Sequence, residues 1–115
     1  MSERDVELYL EDIFDAIQAI ESYTENLAFE DFIAERKTYS ATLREFIVIG
    51  EAIGKLPDAI KNHHPQVPWR QIKDFRNFII HEYFGIDKEI VWDAVIHELP
   101  VLRNQILLLL QRTDS

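Results

Sequence analysis

Cysteine is absent from this chain of 115 residues. That excludes disulfides, thiolate nucleophiles and cysteine-ligated metals together. Glycine and proline are scarce, at three and four residues. Sandwiches and barrels need many tight turns, so an all-β fold is disfavoured. Long apolar runs are missing too. The longest, Ile106–Leu110, falls far short of the ~20 residues of a membrane span. Residues Met1–Asp15 are acidic and hold no apolar signal core, so no secretory leader is expected there. Together these absences make a cytoplasmic protein with no membrane segment the default expectation.

What is present suits a small globule. Apolar residues make up 47% and charged residues 29%. This is enough to bury one core, and it is not the composition of a disordered chain. The length fits a single domain over residues 1–115. Acids outnumber bases, 21 to 12, for a net charge of −9, so the overall field repels nucleic acid. The charge is unevenly spread. Residues 1–35 carry eleven acids against one base, Arg4. Residues 55–81 carry Lys55, Lys61, Arg70, Lys73 and Arg76 against Asp58 and Asp74, with three of the four histidines. An anionic ligand is expected at that second segment.

Apolar periodicity reads as helix throughout. Ser2 with Asp5 makes a capping box, and Val6, Leu10, Ile13, Ile17 and Ile20 form one stripe on a helix ending near Ser22. A second helix is expected from about Glu30 to Lys55. Phe32, Tyr39, Phe46 and Ile53 recur every seven residues, a seam for another long helix, within the fold or across a dimer. Gly50 lies on that seam, where it costs about 1 kcal/mol relative to Ala but permits a close approach. Leu56-Pro57 ends the helix. A short helix from Pro57 to His64 follows, then a loop and a helix with Pro68 in its first turn and Trp69, Ile72, Phe75 and Ile79 on its apolar face. That helix frays at His81–Phe84, with Gly85 as its C-cap. Asp87 caps the last helix, Lys88 to about Arg112, which Pro100 should kink or break. The sum is an all-α antiparallel bundle of about five helices.

Among chemistry-bearing residues, no phosphate loop, zinc spacing or EF-hand occurs. The adjacent His63 and His64 point apart and are read as loop histidines. The dense polar stretch is Phe75 to Tyr83. On a continuous helix Arg76 and Tyr83 share a face about 10 Å apart along the axis, and Asn77 and His81 share the adjacent one. Arginine holds a phosphate, histidine moves a proton and asparagine positions both. An ordinary polar face ending in a capping histidine is the plainer reading. Glu51 is a candidate to orient Arg76. Lys55, Arg70 and Lys73 are candidates to track a nucleic-acid backbone. Trp69, Trp92 and Tyr39 are read as packing residues.

Arg76-x4-His81-x-Tyr83 resembles the motif of the HepT toxins in the all-α HEPN superfamily. Ile49-Gly50-Glu51-Ala52, Pro68-Trp69-Arg70-Gln71-Ile72, Val91-Trp92 and Leu99-Pro100 resemble flanking segments, so the resemblance spans nearly the whole chain. It implies a dimeric, metal-independent endoribonuclease that needs no cofactor, with the motif lining a cleft at the dimer interface. His81 would be the general base or acid, Arg76 would stabilise the transition state and Asn77 would orient it. The partner implied is a minimal nucleotidyltransferase antitoxin that transfers AMP to Tyr83, within a larger hetero-oligomer. A second reading, from a different class, is a non-catalytic binding or regulatory subunit of a nucleotidyltransferase. The acidic first helix suits that reading better than RNA binding.

Overall fold

The computed structural model describes residues 2–113 and contains no strand among them. Helix α1 (Glu3–Thr24) starts where the capping box places it. Ser2 Oγ accepts from the Asp5 N–H at 3.2 Å, and the Asp5 carboxylate accepts from the Ser2 N–H at 3.3 Å. The stripe Val6, Leu10, Ile13, Ile17 and Ile20 is buried. The helix runs past Ser22 to Thr24, whose hydroxyl donates to the Ile20 carbonyl at 2.8 Å. Just beyond it, Asn26 has φ 62°. This is a left-handed turn that Asn tolerates better than most side chains.

The expected long second helix is divided. Helix α2 (Phe29–Ala34) and helix α3 (Arg36–Lys55) meet at Glu35, which is extended with φ −103° and ψ 103°. Local propensity gives no reason for a break there. Packing does, because the bend turns α2 toward the last helices and buries Phe32 completely. The Phe32 ring lies 4.9 Å from the Trp92 ring and meets Tyr39 edge-on at 5.6 Å. The Thr38 hydroxyl donates to the Glu35 carboxylate at 2.8 Å across the joint.

Leu56 is extended before Pro57 and ends α3. Helix α4 (Asp58–His63) is short, and Pro57 caps it from outside instead of occupying its first position. Helix α5 (Trp69–His81) likewise begins just after Pro68. The Trp69 indole N–H donates to the His64 carbonyl at 3.0 Å and ties the loop to the helix. Gly85 does not cap α5. The helix stops at His81, the Gly85 N–H donates to the Glu82 carbonyl at 2.7 Å, and no glycine has positive φ.

Helix α6 (Lys88–Asp93) is capped by Asp87, whose carboxylate accepts from the Glu89 N–H at 3.0 Å. Pro100 neither breaks nor sharply ends the rod that follows. A wide turn over Ala94–Glu98, closed by the Leu99 N–H onto the Ala94 carbonyl, leads into helix α7 (Leu99–Thr113). That turn puts Pro100 in the first turn of α7, where its missing N–H costs least.

Helix α3 is central, packed against α1 on one side and α5 on the other, while α7 covers α1. Tyr23 bonds Glu45 at 3.0 Å and Lys55 lies 5.9 Å over the Tyr9 ring, so α1 and α3 run antiparallel. Arg103 pairs with Glu21 at 3.2 Å and lies over Phe14, joining α7 to α1. The buried residues of these elements form one apolar core. The all-α expectation is met.

Candidate active site

Arg76 sits where α5 crosses α3. Its guanidinium forms an ion pair with the Glu51 carboxylate and donates to the Asn77 side-chain oxygen at 2.7 Å. The Arg76 side chain is 26% exposed and that of Glu51 50%. The pair is therefore open to solvent on one side only. On the closed side, Arg76 Nε is buried with no hydrogen-bond partner among the described residues.

The crossing depends on Gly50. A Cβ at that position would overlap Cβ and Cγ of Arg76 and lie 3.2 Å from its Cδ. The neighbour that the seam glycine admits is thus the stem of the arginine. Gly50 and Glu51 are consecutive on α3. One provides space for the stem and the other provides the countercharge for the head.

Four other polar residues of α5 fall on one stripe. At 3.6 residues per turn, Arg70, Lys73, Asn77 and His81 lie within about 80° of one another along about 16 Å of helix. Arg70, Lys73 and His81 are exposed and Asn77 is half-buried. Asp74, also exposed, interrupts the positive charge of this stripe. Arg76 sits to one side of it, toward α3. The shared face of Asn77 and His81 holds, because both belong to the regular helix. Lys55 is elsewhere, over the Tyr9 ring at the end of α3.

Tyr83 does not share a helical face with Arg76 as a continuous helix would require, because α5 ends at His81. Tyr83 lies in the turn beyond, 44% exposed, with its ring edge-on to Phe84 at 5.4 Å. Burial, and secondarily the charge of Tyr83, push the Tyr39 phenol above its ordinary value. The Lys88 ammonium lies 5.0 Å over the Tyr39 ring. Seam periodicity shows that Tyr39 packs, and it does, but it gives no sign of this electrostatic link to Tyr83.

Phe84 is fully exposed, and Tyr83 beside it and Ile80 are 44% and 43% exposed. The pair Tyr83-Phe84 begins two residues after His81. Its signal in the sequence is plain in retrospect: two aromatics between a helix end and a glycine, with no periodicity to bury them. Trp69 is buried, and Trp92 packs between Phe29 and Phe32 as expected of core residues. No group of three or more histidine, aspartate and glutamate side chains is placed to hold a metal ion among the described residues. No helix among them is long and apolar enough to cross a membrane.

Comparison with known proteins gives the chain's family. The family model described as "Ribonuclease HepT-like" matches residues 13–109. A Thermococcus cleftensis protein named "Probable ribonuclease HepT" is 41% identical over 97 residues, covering 84% of this chain and 88% of its own. A candidate RNase of Methanocaldococcus jannaschii is 41% identical over 100 residues, 87% of this chain and 83% of its own. Another, from Caldanaerobacter subterraneus, is 35% identical over 104 residues, 90% and 93% of the two chains. No solved structure gives a significant match. With the match covering most of α1 through α7, the chain belongs to the HepT-like ribonuclease family.

Proposed function

We propose that this protein is the toxin ribonuclease of a toxin–antitoxin pair, cutting RNA without a metal at a cleft between two copies of the chain. The observation that carries the reading is Arg76, held by Glu51 and Asn77 on the helix that ends in an exposed His81. The substrate carries its own nucleophile. A ribose 2′-hydroxyl attacks the adjacent phosphorus, the bond from phosphorus to O5′ breaks, and a 2′,3′-cyclic phosphate and a 5′-hydroxyl result. Because the nucleophile is already tethered beside the phosphate, no activated water is needed.

His81 takes the 2′-hydroxyl proton or, protonated, delivers one to O5′. In a homodimer the two copies of His81 divide these tasks. Arg76 stabilises the charge that accumulates on the phosphate oxygens, and Asn77 keeps it oriented. Arg70 and Lys73 contact neighbouring phosphates. The exposed phenol of Tyr83 is the acceptor for AMP from a nucleotidyltransferase antitoxin. Its oxygen attacks the α-phosphorus of ATP and pyrophosphate leaves, with the partner enzyme removing the phenolic proton. The added nucleotide stands at the mouth of the cleft within a larger hetero-oligomer in the cytoplasm.

The second reading, a non-catalytic binding subunit of a nucleotidyltransferase, is favoured by one observation. The exposed Ile80, Tyr83 and Phe84 suit protein contact as well as they suit an RNA cleft. Inducible expression of the protein alone separates the two. The ribonuclease reading predicts growth arrest and fragmented RNA, both lost in His81→Ala. Harmless expression of the wild-type protein would favour the binding subunit. For Tyr83, co-expression with the neighbouring nucleotidyltransferase should raise the mass in AMP units, and Tyr83→Phe should abolish the increase. Neutralisation of Tyr83→Phe without any mass change would mean that the partner acts by binding alone.

A further inference from the structure

We infer that Gly50 and Glu51 form a cradle that fixes the reacting position of Arg76, with Glu51 acting as a positioning residue that touches no substrate. The inference rests on the ribonuclease reading and assigns the role of two α3 residues within it. Three observations converge on it. The stem of Arg76 occupies the space a Gly50 side chain would need, and the overlap is with Cβ and Cγ. Those atoms are the least mobile part of an arginine, so the neighbour cannot simply swing aside. The head is held at two points on different helices, Glu51 on α3 and Asn77 on α5. The third nitrogen, Nε, is buried and unpaired among the described residues.

A flexible arginine on an exposed helix face would sample many rotamers and meet a phosphate in few of them. Here the rotamer is set before any phosphate arrives. The cost is that Glu51 is an anion next to the site of an anionic substrate. Glu51 therefore works in two opposed directions. It orients the guanidinium for the transition state, and it competes with the ground-state phosphate for the same charge.

That opposition gives a signature that a purely structural role lacks. Glu51→Gln keeps the shape and removes the charge at a half-exposed position, so the fold should survive. With an oligoribonucleotide of mixed sequence as probe, kcat should fall about 10²-fold, the scale of a displaced catalytic group. KM should stay the same or decrease, because the competing anion is gone. Gly50→Ala should lower kcat at least as much by displacing the stem. An RNA-independent readout accompanies these. In wild type the buried Arg76 Nε–H should give a discrete, slowly exchanging nitrogen-detected NMR signal, which Glu51→Gln should broaden or shift. An unchanged kcat in Glu51→Gln, or an unchanged Nε–H signal, would overturn the cradle. If the wild-type protein cleaves no RNA, the ribonuclease reading falls, and the NMR signal alone decides whether the cradle exists.

Discussion

Arg76 and His81 can be found by spacing alone, as a basic residue and a histidine five positions apart on a helix otherwise apolar on one side. Glu51 is readable only as a candidate to orient Arg76, since it lies 25 positions earlier and only the crossing of α3 and α5 brings the two together. Gly50 was readable as a point of close approach, but the identity of its neighbour is a tertiary fact. Tyr39 supports a prediction at the same scale. Its phenol is raised above the ordinary value near ~10, by burial first and Tyr83 second. A raised folded pKa means that the folded state holds the proton longer than the unfolded chain does. The associated stability is complete below the unfolded value and is lost as pH rises through the folded one. Thermal melts between about pH 8 and 11 should therefore show an alkaline decline that is shallower in Tyr39→Phe. Equal declines would show that the Tyr39 phenol is not the group involved.

Helix existence and phase were legible, and helix joints were not. The capping box of α1 and the periodic stripes of α1, α3 and α5 follow from local rules, and the observed starts of α1 and α5 agree to within a residue. The break at Glu35 does not follow from those rules, because its cause is the pocket that Trp92 and Tyr39 make for Phe32. Replacing Phe32 by Ala should cost about 3–5 kcal/mol, the range for a fully buried aromatic. Amide exchange in α2 should rise more than in α1. A loss under about 1 kcal/mol would mean that α2 is held by something other than its aromatic anchor. Gly85 failed as a C-cap because the turn after His81 is built on an ordinary Glu82–Gly85 hydrogen bond, with no left-handed residue in it. That stop at His81 is what moves Tyr83 off the helix, into a turn where it is 44% exposed.

At the scale of the whole molecule, the net charge of −9 and an RNA substrate pull in opposite directions. In the proposed reading the positive residues that face RNA lie on α5, Arg70 and Lys73 on its exposed stripe with Arg76 to one side. Binding should then depend on few phosphate contacts. For a single strand each contributes a slope of roughly −0.7 in log affinity against log salt. Lys73→Gln should weaken RNA binding and flatten that slope by about one such contact. An unchanged slope would remove Lys73 from the interface. The proposed shared cleft also requires two chains. Sedimentation of the isolated protein should give a dimer at micromolar concentration, and a monomer there would contradict the two-copy site.

Cleavage of RNA by the residues at the end of α5 is the core of the proposed function. The direct measurement is cleavage of an oligoribonucleotide by the purified protein in excess EDTA, with His81→Ala and Arg76→Ala compared at equal helicity by circular dichroism. The wild-type protein should cleave, leaving 2′,3′-cyclic phosphate ends, and each variant should be slower by about 10²–10⁴-fold. Cleavage that requires a divalent ion, or that persists at the wild-type rate in His81→Ala, would contradict it.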